Sequence, residues 1–328
     1  MTARRLALAA AICTVVTVAT HVAAGRATHR VAPANTQRRW PAPARFFFEG
    51  DGRLRLSHAY FDTRLNVRYR RPDGAYDPDA LAQIRRFFRS REDGREAPIP
   101  LRLIELLSYV QNRYHPRQMT LLSGYRSPQF NADLRAAGGV AAQASLHTEG
   151  MAADVAFTGL DLRRLWQQLR VLQTGGVGYY RTGKFLHIDT GPPRFWEETT
   201  SRVGENLSAG NARIFLRTDF DRYPRLEGAV CSLHSVTAFP VLIARRATLV
   251  GTSGNVPVTI EPANGNVERQ GECFMLSEAA ETREFRIVST DALASNAPDG
   301  RVVLSTCEPR IEKTPMEVAS NSIEVTER

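Results

Sequence analysis

An acid stands in the middle of a core-like run, Met151-Ala-Ala-Asp-Val-Ala-Phe157. Small and apolar residues on both sides of Asp154 read as a strand entering the interior. An unpaired buried carboxylate is costly, so the chain must bring partners to Asp154 from elsewhere. Two histidines are the candidates. His147 comes first, in the polar turn Ser145-Leu-His-Thr-Glu-Gly150, where Gly150 lets the backbone fold tightly. His187 lies in Phe185-Leu-His-Ile-Asp-Thr-Gly191. Strand alternation there puts Phe185, His187 and Asp189 on one face and Leu186 and Ile188 on the other. Taken singly, each histidine reads as a buried, hydrogen-bonded side chain. Taken together, two imidazoles and a carboxylate are a common zinc set, leaving a fourth position open. Asp189 lies about 7 Å along the strand from His187 on the same face. It is the predicted general base, with Glu149 the second candidate; orienting an imidazole is the rival role for Asp189.

The N-terminus differs from the rest. Arg4 and Arg5 precede an apolar run from Leu6 to Ala24, broken only by Thr and His21 and ending in Val22-Ala-Ala-Gly25. This is the pattern of a cleaved export signal over 1–24, with periplasmic localisation expected. An uncleaved run would give the N-terminal segment transient membrane contact or an anchor. Residues 25–45, rich in Arg, Pro, Ala and Thr, read as a disordered spacer. Seven arginines and no acid precede Glu49, so these segments carry +7 of the formal +9 and leave +2 for the remainder. No nucleic-acid partner is expected, because that needs a basic face on the folded part.

From residue 46 to about 200 the pattern mixes strands and helices. Leu54 and Leu56, then Leu65, Val67 and Tyr69, alternate with polar residues as two short strands. Asp77 caps a helix with Pro78 at its first position and Leu81, Ile84, Phe87 and Phe88 inward. Further helices are predicted over 101–114, after the Ser127-Pro128 cap, and over 161–172; 118–122 is a strand. The glycine-rich stretch Gly175-Gly-Val-Gly-Tyr-Tyr180 leads into a hairpin with the His187 strand. Arg126, just before the Ser127 cap, suits a substrate carboxylate.

Tyr69 through Trp196 resembles a family of bacterial murein (peptidoglycan) endopeptidases formerly grouped as a domain of unknown function and related to zinc D-alanyl-D-alanine carboxypeptidases. The stretches that carry the resemblance are Tyr69-Arg-Arg-Pro-Asp-Gly-Ala-Tyr76, Ser123-Gly-Tyr-Arg-Ser-Pro-Gln-Phe-Asn131, the His147/Asp154 segment, Gly175–Tyr180, and Phe185 through Trp196. The resemblance implies an α+β domain, a small antiparallel sheet with flanking helices. It implies Zn(2+) on His147, Asp154 and His187, and peptidoglycan peptides as substrate. It also implies that Arg126 polarises the scissile carbonyl or holds a carboxylate, and that Ser145 lines the site; Tyr125 and Tyr179 are the candidate substrate contacts. One position departs from the wider pattern: Lys184 stands where many members carry a glutamate base.

Residues 205–307 lie outside the resemblance. Short apolar runs separated by Gly, Asn, Pro and Asp predict an all-β C-terminal domain, a sandwich or small barrel. Residues 308–328 read as a fraying tail. Cys231, Cys273 and Cys307 lack zinc-site spacing, so one disulfide with one free thiol, or three free thiols, are the alternatives. Two functions fit: a zinc peptidase acting on cell-wall peptides, or a non-catalytic peptidoglycan-binding protein that keeps the fold. His147-Thr-Glu149 without a Pro-Cys-x-x-Cys partner excludes a nucleobase deaminase. The lack of Gly-x-Ser-x-Gly argues against a serine hydrolase of the elbow type.

Overall fold

Asp77 and Ser127 begin their helices as the sequence predicts. The Asp77 carboxylate accepts from the amides of Asp79 and Ala80, and Ser127 Oγ from the amide of Phe130, each ahead of a proline in the first turn. The computed structural model describes residues 43–326, apart from 139–140, 203, 253, 266, 278–282 and 289–298. The expected signal segment, its membrane contact and most of the spacer lie outside the described residues. Among those described, no helix is long and apolar enough to cross a membrane.

The first half is α+β. In chain order its elements are β1 (Arg53–His58), β2 (Arg64–Arg68), α1 (Pro78–Phe87), α2 (Leu101–Tyr114), β3 (Gln118–Ser123), α3 (Pro128–Ala136), β4 (Ala152–Thr158), α4 (Leu162–Leu172), β5 (Gly176–Tyr180), β6 (Phe185–Asp189) and β7 (Arg194–Glu197). The strands form one sheet in the order β2-β1-β3-β4-β6-β5-β7. The sheet is mixed, which corrects the antiparallel expectation: β1 pairs with β3, and β5 with β7, in parallel. A hairpin cannot join parallel strands: α1 and α2 lie between β1 and β3, and β6 lies between β5 and β7.

Period-two alternation divides the central strands between two environments. Ala153, Val155, Leu186 and Ile188 join Leu103, Leu107 and Trp166 in the first core. Asp154 and His187 stand on the opposite face, paired directly across β4 and β6. On that face Ala152 packs with Leu146, Met151 and Phe215, which brings the C-terminal half against the site.

The C-terminal half is all β and has its own core. It begins with β8 (Phe215–Thr218), β9 (Arg222–Tyr223), β10 (Val230–His234) and β11 (Val241–Gly251). β9 pairs in parallel with Glu324–Val325, and the described residues form a nine-stranded antiparallel sheet, branched at β11. The length of β11 allows this: Val241–Ala244 pair with one strand and Arg246–Gly251 with another on the same edge. Cys273 and Cys307 form a disulfide, and Cys231 is buried and free. The tail is not frayed. Glu317–Ala319 and Glu324–Val325 are strands, and Val318, Ile323 and Val325 are buried, because their alternating apolar residues complete the second core.

Candidate metal centre

His147 reaches the sheet from a single 3₁₀ turn, Leu146–Glu149. Ser145 opens that turn, its Oγ accepting from the amide of His147. Gly150 closes it at φ 68°, and a Cβ there would lie 2.4 Å from the carbonyl of Pro98. His147, Asp154 and His187 thus come from a turn, β4 and β6, and all three are buried.

Their side chains meet in a triangle. Nε2 of His147 lies 3.3 Å from Nδ1 of His187 and 3.3 Å from Oδ1 of Asp154. Nδ1 of His187 lies 3.0 Å from the same Oδ1. The remaining polar atoms of the three are engaged outward. His147 Nδ1 donates to the carbonyl of Gly124 at 2.7 Å. His187 Nε2 donates to Asp189 Oδ2 at 2.9 Å. Asp154 Oδ2 accepts from Arg126 Nη2 at 2.8 Å. With both ring protons committed outward, the three atoms that face one another are all lone-pair acceptors. A tetrahedral ion with bonds of about 2.0–2.1 Å keeps its ligands about 3.3 Å apart, so the spacing fits one.

The surroundings act on the three groups differently. Burial acts to raise the pKa of Asp154, but His147, His187 and Arg126 outweigh it and hold the carboxyl well below its usual range. Burial and Arg126 lower His147. Burial opposes protonation of His187 too, yet Asp154 and Asp189 on either side raise its pKa.

Asp189 lies on the far side of the His187 ring and is completely buried. Its Oδ1 accepts from the amides of Gly176 and Gly191 at 2.9 and 2.8 Å, and Arg194 Nη2 reaches Oδ2 at 2.6 Å. Burial would raise its pKa, but Arg194 and His187 hold it low. A carboxylate so engaged, and turned away from the triangle, does not have the geometry expected of a base. Glu149 is also committed: Oε2 meets His234 Nδ1 at 2.7 Å and Oε1 accepts from the amide of Ser235 at 2.9 Å. Lys184 is exposed in the β5–β6 turn.

A cleft of about 720 Å³ opens over the triangle, lined by Arg126 and Ser145 as expected. Tyr125 and Tyr179 do not line it. Both pack against the first core, Tyr179 beside Trp166. Tyr180 takes the place expected of Tyr179, because Gly178 and Tyr180 sit across from His187 and Phe185 in the hairpin register. Applying the alternation used for β6 to β5 as well finds this residue. Trp196 lies over Gly178, its ring centre 5.2 Å from that of His187, and its Nε1 donates to Tyr180 Oη at 3.1 Å. The glycines of β5 leave this room: a Cβ at Gly176 would lie 2.3 Å from Asp189 Oδ2, and one at Gly178 would lie 2.4 Å from the Trp196 ring. Sequence reading also missed Arg194. Its position five residues beyond Asp189 follows no periodic rule, since the chain turns at Pro192-Pro193 between them.

Residues 50–196 match the family model described as peptidoglycan L,D-endopeptidase MepK. The chain is 37% identical over 122 residues to the peptidoglycan L,D-endopeptidase MepK of Escherichia coli, covering 37% of this chain and 67% of that protein. The similarity to the Shigella flexneri protein of that name has the same extent, 37% over 122 residues. A probable peptidoglycan L,D-endopeptidase MepK of Haemophilus influenzae is 39% identical over 80 residues, 24% of this chain and 43% of that one. No solved structure matches the chain.

Proposed function

The chain belongs to the peptidoglycan L,D-endopeptidase MepK family, and from that membership we propose that it is a zinc-dependent peptidase hydrolysing peptide cross-links of peptidoglycan. The observation that carries the metal reading is the convergence of His147 Nε2, Asp154 Oδ1 and His187 Nδ1 within 3.0–3.3 Å. Three lone pairs facing one another call for a cation, and two imidazole nitrogens with one carboxylate oxygen suit zinc. When bound, zinc supplies Lewis acidity toward a scissile carbonyl and toward water.

The chain's own residues prepare that site. Arg126 holds the second oxygen of Asp154 and so leaves Oδ1 turned to the centre. The same side chain lines the cleft, where a guanidinium is suited to a substrate carbonyl or carboxylate. Gly124 and Asp189 fix the ring tautomers of His147 and His187. Asp189 is therefore read as a positioning residue rather than the base. Tyr180 and Trp196 wall the cleft.

Export to the periplasm belongs to the same reading. It is supported by the basic and apolar N-terminal pattern and by the Cys273–Cys307 disulfide, since such bonds persist in oxidising compartments. Residues 46–200 are read as the peptidase domain and 205–307 as the core of a second domain.

The test is digestion of purified muropeptides by the zinc-loaded protein with and without a chelator, read by mass spectrometry. Cleavage between amino acids of the stem or cross-link, abolished by chelator and restored by zinc, is expected. Cleavage indifferent to chelator would remove the metal from the reaction, and binding without cleavage would leave a wall-binding protein.

A further inference from the structure

The family match stops at residue 196, but the cleft continues beyond it. Its far wall is built by the stretch from Glu198 to Phe215, including Arg202, Glu205 and Arg213. The stretch is fixed at its end. Phe215 packs on Leu146 and Met151, beside His147. Two residues further on, Arg217 Nε donates to the carbonyl of Thr190 at 2.8 Å and Nη2 donates to that of Gly191.

Four arginines line the cleft, and three are committed. Arg126 holds Asp154, Arg194 holds Asp189, and Arg202 Nε donates to Glu205 Oε1 at 2.7 Å. Glu198, the remaining acid of the lining, accepts from the amide of Thr182. Arg213 makes no hydrogen bond or ion pair among the described residues, although it is exposed and faces the cleft. Partial burial and the like charges of Arg194 and Arg202 lower its pKa from the usual guanidinium value, against a smaller opposing effect of Glu205. Its guanidinium thus stands near two like charges, while Glu205 is already held by Arg202. A guanidinium offers a planar fork that grips a carboxylate through two parallel bonds.

We propose that Arg213 forms a carboxylate subsite, gripping a free carboxylate of an acidic peptide laid across the cleft. The proposal rests on the peptidase reading and deepens it by naming the charge of the bound peptide. The segment leading into the second sheet then helps choose the substrate.

The test compares an acidic muropeptide with the same peptide amidated at its carboxylates. Binding to the metal-free full-length protein is read by calorimetry, and kcat/KM by turnover of the zinc-loaded protein. The wild-type chain should favour the acidic peptide by about tenfold or more in both. Arg213→Gln should bring both ratios toward one, through higher Kd and KM for the acidic peptide. Arg213→Lys should restore part of the preference. Ratios unchanged by Arg213→Gln would overturn the subsite, as would an equal loss for both peptides, which marks a structural role. If the wild-type chain cleaves neither peptide, the peptidase reading fails, and the binding ratio still decides the subsite.

Discussion

Asp189 Oδ2 lies 2.9 Å from His187 Nε2, the ring nitrogen opposite the one that meets Asp154 and His147. A carboxylate in that position fixes the ring and makes its other nitrogen a better ligand. Asp189→Asn is therefore expected to weaken zinc affinity by about ten- to a hundredfold while turnover at saturating zinc stays near wild type. Zinc affinity and turnover measured on the one variant separate the two roles. Wild-type affinity with turnover down by a hundredfold or more would return Asp189 to the position of general base.

The triangle of His147, Asp154 and His187 was legible in the sequence because each member obeys a local rule. Asp154 and His187 follow strand alternation, and His147 sits in a turn closed by Gly150. The saturation of Asp189 was not legible. Alternation gives the face of a side chain but not its neighbours, and those come from Gly176, thirteen residues earlier, and Arg194, five residues later. The same limit hid the parallel pairs β1/β3 and β5/β7, since the order of non-consecutive strands is set by tertiary packing. The commitment of Glu149 depends on His234 and Ser235, which belong to a sheet whose docking no local pattern encodes.

That docking bears on truncation. The first core draws on residues between Phe48 and Phe195, so a chain ending at Glu198 is expected to fold and bind zinc. It would lose Phe215 from Leu146, Met151 and Ala152, and the two contacts that hold Glu149. Its thermal midpoint should fall relative to the full chain, and its zinc affinity should drop as the His147 turn loosens. Thermal unfolding and zinc titration of the two chains check this. Aggregation of the shortened chain would mean that the halves share one folding unit.

His58 supplies a pH dependence outside the His147/Asp154/His187 triangle. It is buried at the end of β1, where Nδ1 accepts from the amides of Tyr60 and Phe61 at 3.1 and 3.3 Å. Burial, with Arg89 and Arg91, lowers its pKa from 6.5 to about 4. Between those values the unfolded chain binds a proton that the folded chain refuses. The stabilisation is thus present above pH 6.5 and is lost as pH falls toward about 4. His58→Asn keeps an acceptor near the Nδ1 position and removes the titration. Its thermal midpoint should fall less than that of the wild type between pH 7 and pH 4.5. Parallel losses in the two proteins would exclude His58 as a source of acid sensitivity.

The last prediction concerns Gly178. It pairs with His187 across the hairpin, and Trp196 occupies the space where its side chain would stand. A Cβ there would lie 2.4–2.6 Å from the indole, closer than atoms can approach. Its φ is not in the positive region, so alanine would not strain the strand. The indole must then move, breaking its 3.1 Å hydrogen bond to Tyr180 and opening the wall of the cleft beside His187. Gly178→Ala should keep zinc, because the hydrogen bonds with Gly124, Arg126 and Asp189 that orient the triangle remain, but raise KM for a muropeptide by about tenfold, the range of about 1–2 kcal/mol that a lost contact represents. The cause can be isolated with Trp196→Ala. Once the indole is gone, Gly178→Ala should add little, giving a strong coupling in a double-mutant cycle. Additive losses would show that the glycine serves the strand and not the tryptophan, and wild-type kinetics for Gly178→Ala would remove Trp196 from the substrate wall.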